Sequence, residues 1–229
     1  MGIQERKERE KEARKTLIMR CAKDLVLEQG VEAVSMGDIA KKAELSKATL
    51  YLYFPGKEAL LRELCDTSAH RFIHHVQARL KPGLSAWEQI QVFWRSYLAL
   101  YGTSDDLLIL LSMRRYITED FLGIPLTETD LPVPAPSIAA TLYTMITAMI
   151  LQGITEGIFD PTAKPDILTR TVLGLFSCIV ENAAKLPKLQ RKSQAIIAEM
   201  KYVFEILLRG IAREGVDRSL LVLPEQKAE

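Results

Sequence analysis

Two serines eleven positions apart, Ser35 and Ser46, constrain the fold of this 229-residue chain more than any other feature. Each precedes a short stretch whose apolar residues recur at helical spacing. A serine hydroxyl just before a helix accepts a hydrogen bond from a backbone N–H that the helix leaves unpaired. Asp38 stands three residues after Ser35, as in a capping box, where the helix dipole favours an acid. The segment therefore predicts two short helices joined by a tight turn.

The apolar and small residues of this segment are spaced so that the two helices can pack at a steep angle. They are Ile39, Ala40, Ala43, Leu45, Leu50 and Tyr53. A helix-turn-helix needs such contacts, and its second helix enters the DNA major groove N-terminus first. The other positions of the second helix mix hydrogen-bond donors for phosphates with a methyl group for thymine: Lys47, Ala48, Thr49, Tyr51 and, at the edge, Tyr53. Lys57 begins the next helix beside them.

The run GVEAVSMGDIAKKAELSKATLYLYFPGKEALL closely resembles the DNA-binding segment of the TetR family of bacterial transcriptional regulators, over about residues 17–62. The capped first helix, S-K-x-T-L-Y-x-Y-F and K-E-A-L-L together carry the resemblance. It implies a homodimer on double-stranded operator DNA and a larger helical domain that dimerises and binds a small-molecule effector. It also implies DNA contacts from Ser35, Lys47, Thr49, Tyr51, Tyr53 and Lys57, with Ala48 against a base edge.

Glu44 departs from the family pattern, which usually has glycine in the turn. Glycine adopts a left-handed conformation freely, whereas another L-residue costs roughly 1 to 2 kcal/mol there. We therefore expect a strained or reshaped turn, and a carboxylate near the phosphates that weakens or tunes DNA affinity.

No strand-like alternation bounded by turn residues is evident in the rest of the chain, which predicts an all-α fold of about nine helices. We expect a helix-turn-helix domain over residues 1–56 and an effector-binding and dimerisation domain over residues 57–229. The helices after the long fourth one are predicted approximately at 85–101, 105–121, 137–157, 165–184 and 189–213. The segment after Gly215 is expected to be a short, loosely held tail.

Aromatic and methionine residues of the second domain are candidates for an apolar, adaptable effector cavity. They are Trp94, Tyr97, Tyr101, Met113, Tyr143, Met145, Met149 and Phe176. The alternative is that the stripe containing Trp94, Tyr97 and Tyr101 forms an ordinary core. Arg114 and Arg115 suggest an anionic ligand, whereas Glu181 and Asn182 suggest a cation, so the ligand charge stays open.

The last two predicted helices carry broad apolar faces. The first face comprises Leu168, Val172, Leu175, Phe176, Ile179 and Ala183, and the second comprises Ile196, Met200, Val203, Phe204, Leu207 and Ile211. The family resemblance implies a four-helix dimer interface, although packing within one chain explains the same pattern.

The charge and hydropathy of the sequence limit which partners the protein can bind and where in the cell we expect it. With 30 basic and 29 acidic residues and a formal net charge of +1, any nucleic-acid contact must be local. The charged N-terminus gives no signal for secretion, and prolines and threonines in the uncharged stretch 131–155 favour a buried helix over a membrane span. We therefore expect a cytoplasmic protein without a membrane partner.

The sequence favours neither a cofactor nor an enzyme. Its three cysteines lack a CxxC pair, which argues against a disulfide framework or a zinc knuckle. Asp66, His70 and His74 lie four apart on one helix face and could hold a metal, but a solvated face is the simpler interpretation. Phosphate-loop, G-x-S-x-G and HExxH motifs are absent. The main rival to a ligand-responsive regulator is a helical DNA-binding or interaction protein without an effector.

Overall fold

The computed structural model describes residues 2–101, 138–185 and 192–225, and the regular secondary structure in these ranges is helical, apart from one isolated β-bridge between Phe159 and Ala212. They contain eight α-helices and a short 3₁₀ helix: α1 Ile3–Gln29, α2 Met36–Lys42, α3 Lys47–Tyr53, α4 Lys57–Gln77, α5 Ala86–Tyr101, α6 Ile138–Thr155, α7 Pro165–Lys185, α8 Ser193–Gly210 and the 3₁₀ turn Arg218–Leu220. The predicted all-α class is confirmed, and this number is close to the expected nine. The helix predicted at 105–121 lies outside the described residues.

An N-terminal hydrophobic core joins α1, α2, α3 and the beginning of α4. Its fully buried members include Ile18, Ile39, Leu50 and Leu60. Leucine, isoleucine and alanine recur three and four residues apart in these helices, so each helix turns one apolar stripe inward. An ion pair between Lys15 of α1 and Glu63 of α4, 2.6 Å apart, spans the two helices.

Helix α4 contributes to both hydrophobic cores of the protein. Its first turns, through Cys65, belong to the N-terminal core, whereas Phe72 and Val76 belong to a second core with α5, α7 and α8. Burial raises the pKa of the Cys65 thiol to about 12, so this cysteine is an inert packing residue. One rigid helix therefore spans from the N-terminal helices to the C-terminal helices.

The second core is built around a cluster of aromatic rings. Trp94 stacks on Tyr97 with ring centroids 5.5 Å apart, and Phe204 packs edge-on against Trp94 at 6.0 Å. Phe176 and Phe72 meet Tyr97 edge-on at 5.5 and 6.4 Å. Offset and edge-to-face contacts of this kind suit the ring quadrupoles, so the cluster holds α4, α5, α7 and α8 together.

The C-terminal segment corrects a prediction, because residues 217–225 are not a loosely held tail. Leu221 and Leu223 are only 3% and 2% exposed. The Leu223 N–H donates to Glu205 Oε1 at 2.8 Å, and Trp94 Nε1 donates to the Pro224 carbonyl at 2.8 Å. The prediction failed because the charged and glycine-containing stretch before this segment resembles a chain end, whereas Leu221 and Leu223 are buried and Leu223 belongs to the second core.

Helix α6 is not buried on every side within one chain. Met149 and Ile150 are buried, but Thr144, Ala148 and Leu151 are exposed. Among the described residues, no helix is both long and apolar enough to cross a bilayer.

Most of the predicted apolar face of α8 packs inside the chain. Ile196 and Met200 are buried in the second core, with Val203 and Phe204 against it. Intrachain packing, one of the two alternatives for this face, therefore accounts for these four residues.

Candidate DNA-binding surface

Both predicted serine caps are present and define the helix-turn-helix. Ser35 and Asp38 form a reciprocal capping box: the Asp38 N–H donates to Ser35 Oγ at 3.2 Å, and the Ser35 N–H donates to Asp38 Oδ2 at 3.0 Å. Hydrogen bonds from the Ser35 hydroxyl and backbone hold the pKa of the Asp38 carboxyl below its ordinary value. The Thr49 N–H donates to Ser46 Oγ at 3.0 Å. The prediction that these serines begin two helices is confirmed.

In the turn between α2 and α3, Glu44 adopts the left-handed backbone conformation, with a φ of 55°. The Leu45 N–H donates to the Ala40 carbonyl at 2.9 Å, and the Glu44 N–H donates to the Lys41 carbonyl at 3.2 Å. This pair of bonds is the Schellman motif, which normally recruits glycine at the left-handed position. Glu44 therefore occupies the conformation in which an L-residue is disfavoured, as expected from the glycine that the resembled family usually has there.

Helix α3 has one face in the core and the opposite face in solvent. Leu50 is fully buried and Tyr53 packs partly against the N-terminal core, as predicted. Lys47 and Ala48 are exposed, and Tyr51 is 51% exposed. These placements leave a solvent-facing surface available to DNA along the whole of α3.

The hydroxyl and lysine side chains predicted to contact DNA differ in their exposure and in their contacts within the chain. Thr49 is half-buried, with its Oγ1 2.8 Å from Ser46 Oγ. The Lys47 side chain lies over the first turn of α2, because a Cβ placed on Gly37 would stand only 2.9 Å from Lys47 Cε. Lys57 is half-buried at the first position of α4. Ser35 is exposed, although its hydroxyl is engaged by Asp38.

Leu52 is the residue of this surface that the sequence interpretation missed. Its side chain is 83% exposed, more than that of any other large exposed hydrophobic in the described ranges. Leu52 follows Ala48 by four positions on α3, so both stand on the same helix face. That spacing, opposite the buried Leu50, is the signal that could have identified it.

The candidate effector residues are partly gathered at the second core. Trp94 and Tyr97 are buried in the aromatic cluster, with Met145 and Phe176 packed against it. Met149 is buried on α6 and Tyr143 is half-buried. The Tyr101 side chain and Met113 lie outside the described residues. The Tyr97 hydroxyl donates to Met200 Sδ at 3.3 Å. An effector cavity at these residues stays a prediction.

The histidines on α4 do not assemble with acids into a metal site in the described part of the chain, where no group of three or more His, Cys, Asp or Glu side chains could hold an ion. His70 Nδ1 lies 2.9 Å from the Asp66 backbone carbonyl instead. The exposed positions of His70 and His74 fit the solvated-face alternative.

Comparison with known proteins finds relatives of the segment that carries this surface. The family model of bacterial regulatory proteins of the tetR family matches residues 18–64, from α1 into α4. The uncharacterized HTH-type transcriptional regulator YvdT of Bacillus subtilis is 25% identical over 93 residues, which cover 41% of this chain and about half, 48%, of that relative. The fatty acid metabolism regulator protein of Bacillus subtilis is 23% identical over 195 residues, covering 85% of this chain and 93% of its own length.

The fold is also shared with a solved structure, the transcriptional regulator FadR from Bacillus subtilis in complex with stearoyl-CoA. The TM-score is 0.62 at 20% identity, and the match covers 86% of this chain and 98% of the other. The family match contains both serine caps, the Glu44 turn and the whole of α3, while the structural match extends across the C-terminal helices. Residues 18–64 therefore match the model of the tetR family of bacterial regulatory proteins, and the likeness over the longer range shows a shared fold.

Proposed function

We propose that the protein is a ligand-responsive repressor that binds a palindromic operator as a homodimer and is released by a small-molecule effector. The observation that carries the proposal is the α2–α3 unit, whose inner face is locked into the core while its outer face stands in solvent. A helix-turn-helix places such an outer face in the major groove. The proposal involves no catalysed reaction, and a DNA partner implies a cytoplasmic location.

The surface carries side chains that can contact both DNA bases and backbone phosphates. Ser35, Lys47, Tyr51, Tyr53 and Lys57 offer hydrogen bonds or positive charge for phosphates and base edges. Ala48 and Thr49 lie close to the N-terminus of α3, the end that a recognition helix directs toward the bases. The division of the chain at residue 56 is part of this proposal, with α4 connecting DNA-binding and effector-binding parts.

Two exposed apolar residues on α8 support the homodimer. Tyr202 is 67% exposed and Ile206 is 50% exposed, and they stand four positions apart on the same helix face. Burying such a pair against a symmetry mate removes apolar surface from water, and a two-fold dimer reuses the same patch on both subunits. Tyr202→Glu should dissociate the dimer in analytical ultracentrifugation, whereas Leu220→Glu, at a 70% exposed leucine outside α8, should leave it intact.

For the effector, we propose an apolar molecule bound among the aromatic and methionine residues of the second core. The near full-length relative is named a fatty acid metabolism regulator, and the similar solved structure contains stearoyl-CoA. Trp94, Tyr97, Met145 and Phe176 already share one apolar cluster into which an acyl chain could insert by repacking. Coupling of about 1 to 3 kcal/mol between this site and DNA would change operator affinity roughly 5- to 150-fold.

The DNA-binding test is selection of bound sequences from a random duplex pool, followed by titration of the winning site at defined salt. We expect an inverted repeat bound by a dimer. Lys57→Ala should weaken binding to all sequences and reduce its salt dependence, whereas Lys47→Ala or Thr49→Ala should alter sequence preference. Failure of the wild-type protein to enrich any sequence would reject the DNA-binding function.

The effector test adds stearoyl-CoA to the protein bound to that operator, with coenzyme A alone and stearate alone as matched controls. We expect stearoyl-CoA to raise the melting temperature of the free protein and release the operator. Binding that leaves operator affinity unchanged would contradict the release mechanism.

The second candidate function is DNA binding without an effector. One observation favours it: the polar atoms of two candidate pocket residues are already bonded within the chain, Trp94 Nε1 to Pro224 and the Tyr97 hydroxyl to Met200. Because these two polar groups already have hydrogen-bond partners in the protein, they do not need a ligand to provide one. A broad ligand library that never shifts the melting temperature would support this second function.

A further inference from the structure

Leu52 contributes little to the fold and leaves a large apolar side chain in solvent. It is 83% exposed, while its neighbours on α3 include the fully buried Leu50 and the partly packed Tyr53. Exposed single leucines are common, but this one lies in the last turn of α3 on the side opposite the buried Leu50, four positions after the exposed Ala48. The exposed Leu52 side chain must therefore be considered as a candidate contact to the DNA that this face of α3 is proposed to bind.

Ala48 and Leu52 form a short apolar ridge along α3. Both side chains are exposed, and they are four positions apart on the helix. The rise of about 1.5 Å per residue separates them by roughly 6 Å along the helix axis. Stacked bases along one DNA strand are about 3.4 Å apart, so the ridge is about as long as two base steps.

The ridge presents only aliphatic groups to solvent. Hydrogen-bonding side chains lie to its sides: Lys47 lies over Gly37 of α2, Tyr51 extends from the adjacent helix position, and the Thr49 hydroxyl lies 2.8 Å from Ser46 Oγ. In the major groove the only apolar feature of the four unmodified bases is the C5-methyl group of thymine. An apolar ridge there discriminates by burying methyl groups and by leaving cytosine and purine polar groups without partners.

We propose that Leu52, with Ala48, reads thymine C5-methyl groups in the operator half-site and that Leu52 is a determinant of sequence specificity. This inference rests on the proposed DNA-binding function. It predicts thymine at one or two positions of each half-site.

The experiment compares the selected operator with duplexes in which single thymines of a half-site are replaced by uracil, which removes only the methyl group. Wild-type protein should lose about fourfold in affinity at the contacted position, the effect expected for one buried methyl group. Restoring a methyl group by 5-methylcytosine in a cytosine-substituted site should recover part of the affinity.

Leu52→Ala tests the assignment to this residue, and Leu52→Met keeps an apolar side chain as the conservative variant. At the thymine that Leu52 contacts, Leu52→Ala should bind the thymine and uracil operators equally, whereas Leu52→Met should keep the preference for thymine. Leu220→Ala, at an exposed leucine of the C-terminal segment, should match wild type on every duplex. Equal melting temperatures of the variants and wild type will show that the folds are intact.

Two outcomes would overturn the proposal and are distinguishable. If the wild-type protein binds its operator but no uracil substitution reduces affinity, or if Leu52→Ala retains the wild-type thymine preference at every sensitive position, methyl reading by Leu52 is wrong while DNA binding stands. If the wild-type protein enriches no sequence, both the DNA-binding function and methyl reading fail.

Discussion

The indole N–H of Trp94 donates a hydrogen bond to the backbone carbonyl of Pro224, 2.8 Å away, and so ties α5 to a segment 130 residues later. The same indole stacks on Tyr97 at the centre of the second core. Lys201 reinforces the attachment through an ion pair to Glu225 at 3.3 Å. The C-terminal segment is therefore anchored to the second core.

Trp94→Phe should loosen this segment. The substitution leaves the Pro224 carbonyl without its donor and the core with a smaller ring, so the free energy of unfolding should fall by about 1 to 3 kcal/mol. Hydrogen exchange of the Leu223 amide should also become faster. Trp87→Phe, at a half-buried tryptophan packed against the same core, should leave that exchange rate unchanged. Unaltered Leu223 exchange in Trp94→Phe would show that the indole hydrogen bond does not hold the segment.

The ring of Phe159 packs so close to Gly153 that position 153 has no room for a side chain. A Cβ at position 153 would stand 2.3 Å from Phe159 Cδ2, and Phe159 is fully buried beside Ala212. Gly153→Ala should therefore destabilise the protein by about 1 to 3 kcal/mol through overpacking, measured by chemical denaturation. Gly210→Ala is the matched control, because nothing lies within 4 Å of the added carbon there. Adding Phe159→Leu to Gly153→Ala should recover stability, and additive losses would contradict the steric explanation.

The helix-turn-helix could be predicted from the sequence because its determinants are local. The caps at Ser35 and Ser46 act over three residues, and the buried positions Ile39 and Leu50 follow from helical spacing. The left-handed turn at Glu44 was expected only through the family resemblance, which usually places glycine there. Short-range hydrogen bonds and periodicity fix the caps and the buried positions without knowledge of the rest of the chain.

The attachment of the C-terminal segment could not be predicted in the same way. Leu223 and Pro224 are held by Glu205 and Trp94, residues that only the tertiary fold brings near. The exposure of Tyr202 was missed for a related reason, since the apolar spacing of α8 does not reveal which of its residues the same chain covers. Leu52 differs, because its position opposite the buried Leu50 is a local signal of exposure, although leucines in an amphipathic helix are usually on the buried face.

Ser35→Ala should change how stability depends on pH through Asp38. The Ser35 hydrogen bonds lower the pKa of Asp38 in the folded protein below its ordinary value of 3.8. A lowered folded pKa stabilises the protein above the unfolded pKa, and this contribution disappears as pH falls through the folded pKa. The stability difference between wild type and Ser35→Ala should therefore be largest near neutral pH and shrink below about pH 4.

Carbon NMR titration of the Asp38 carboxyl provides the direct measurement. In Ser35→Ala its pKa should rise toward the ordinary value, and Ser35→Thr, which keeps a hydroxyl, should retain most of the depression. An Asp38 pKa that is equal in wild type and Ser35→Ala would contradict the assignment of the shift to this capping box.

Glu44 allows backbone strain and charge to be separated by two substitutions. Glu44→Gly removes both the unfavourable left-handed conformation at φ 55° and the carboxylate, whereas Glu44→Ala removes only the carboxylate. Glycine should raise the free energy of unfolding by about 1 kcal/mol, since relief of strain exceeds the added entropy of the unfolded chain, and alanine should not. Equal stability of the two variants in urea denaturation would mean that the Schellman turn carries no conformational strain. Operator affinity should instead rise equally in both, because each removes a negative charge from the surface that approaches phosphates.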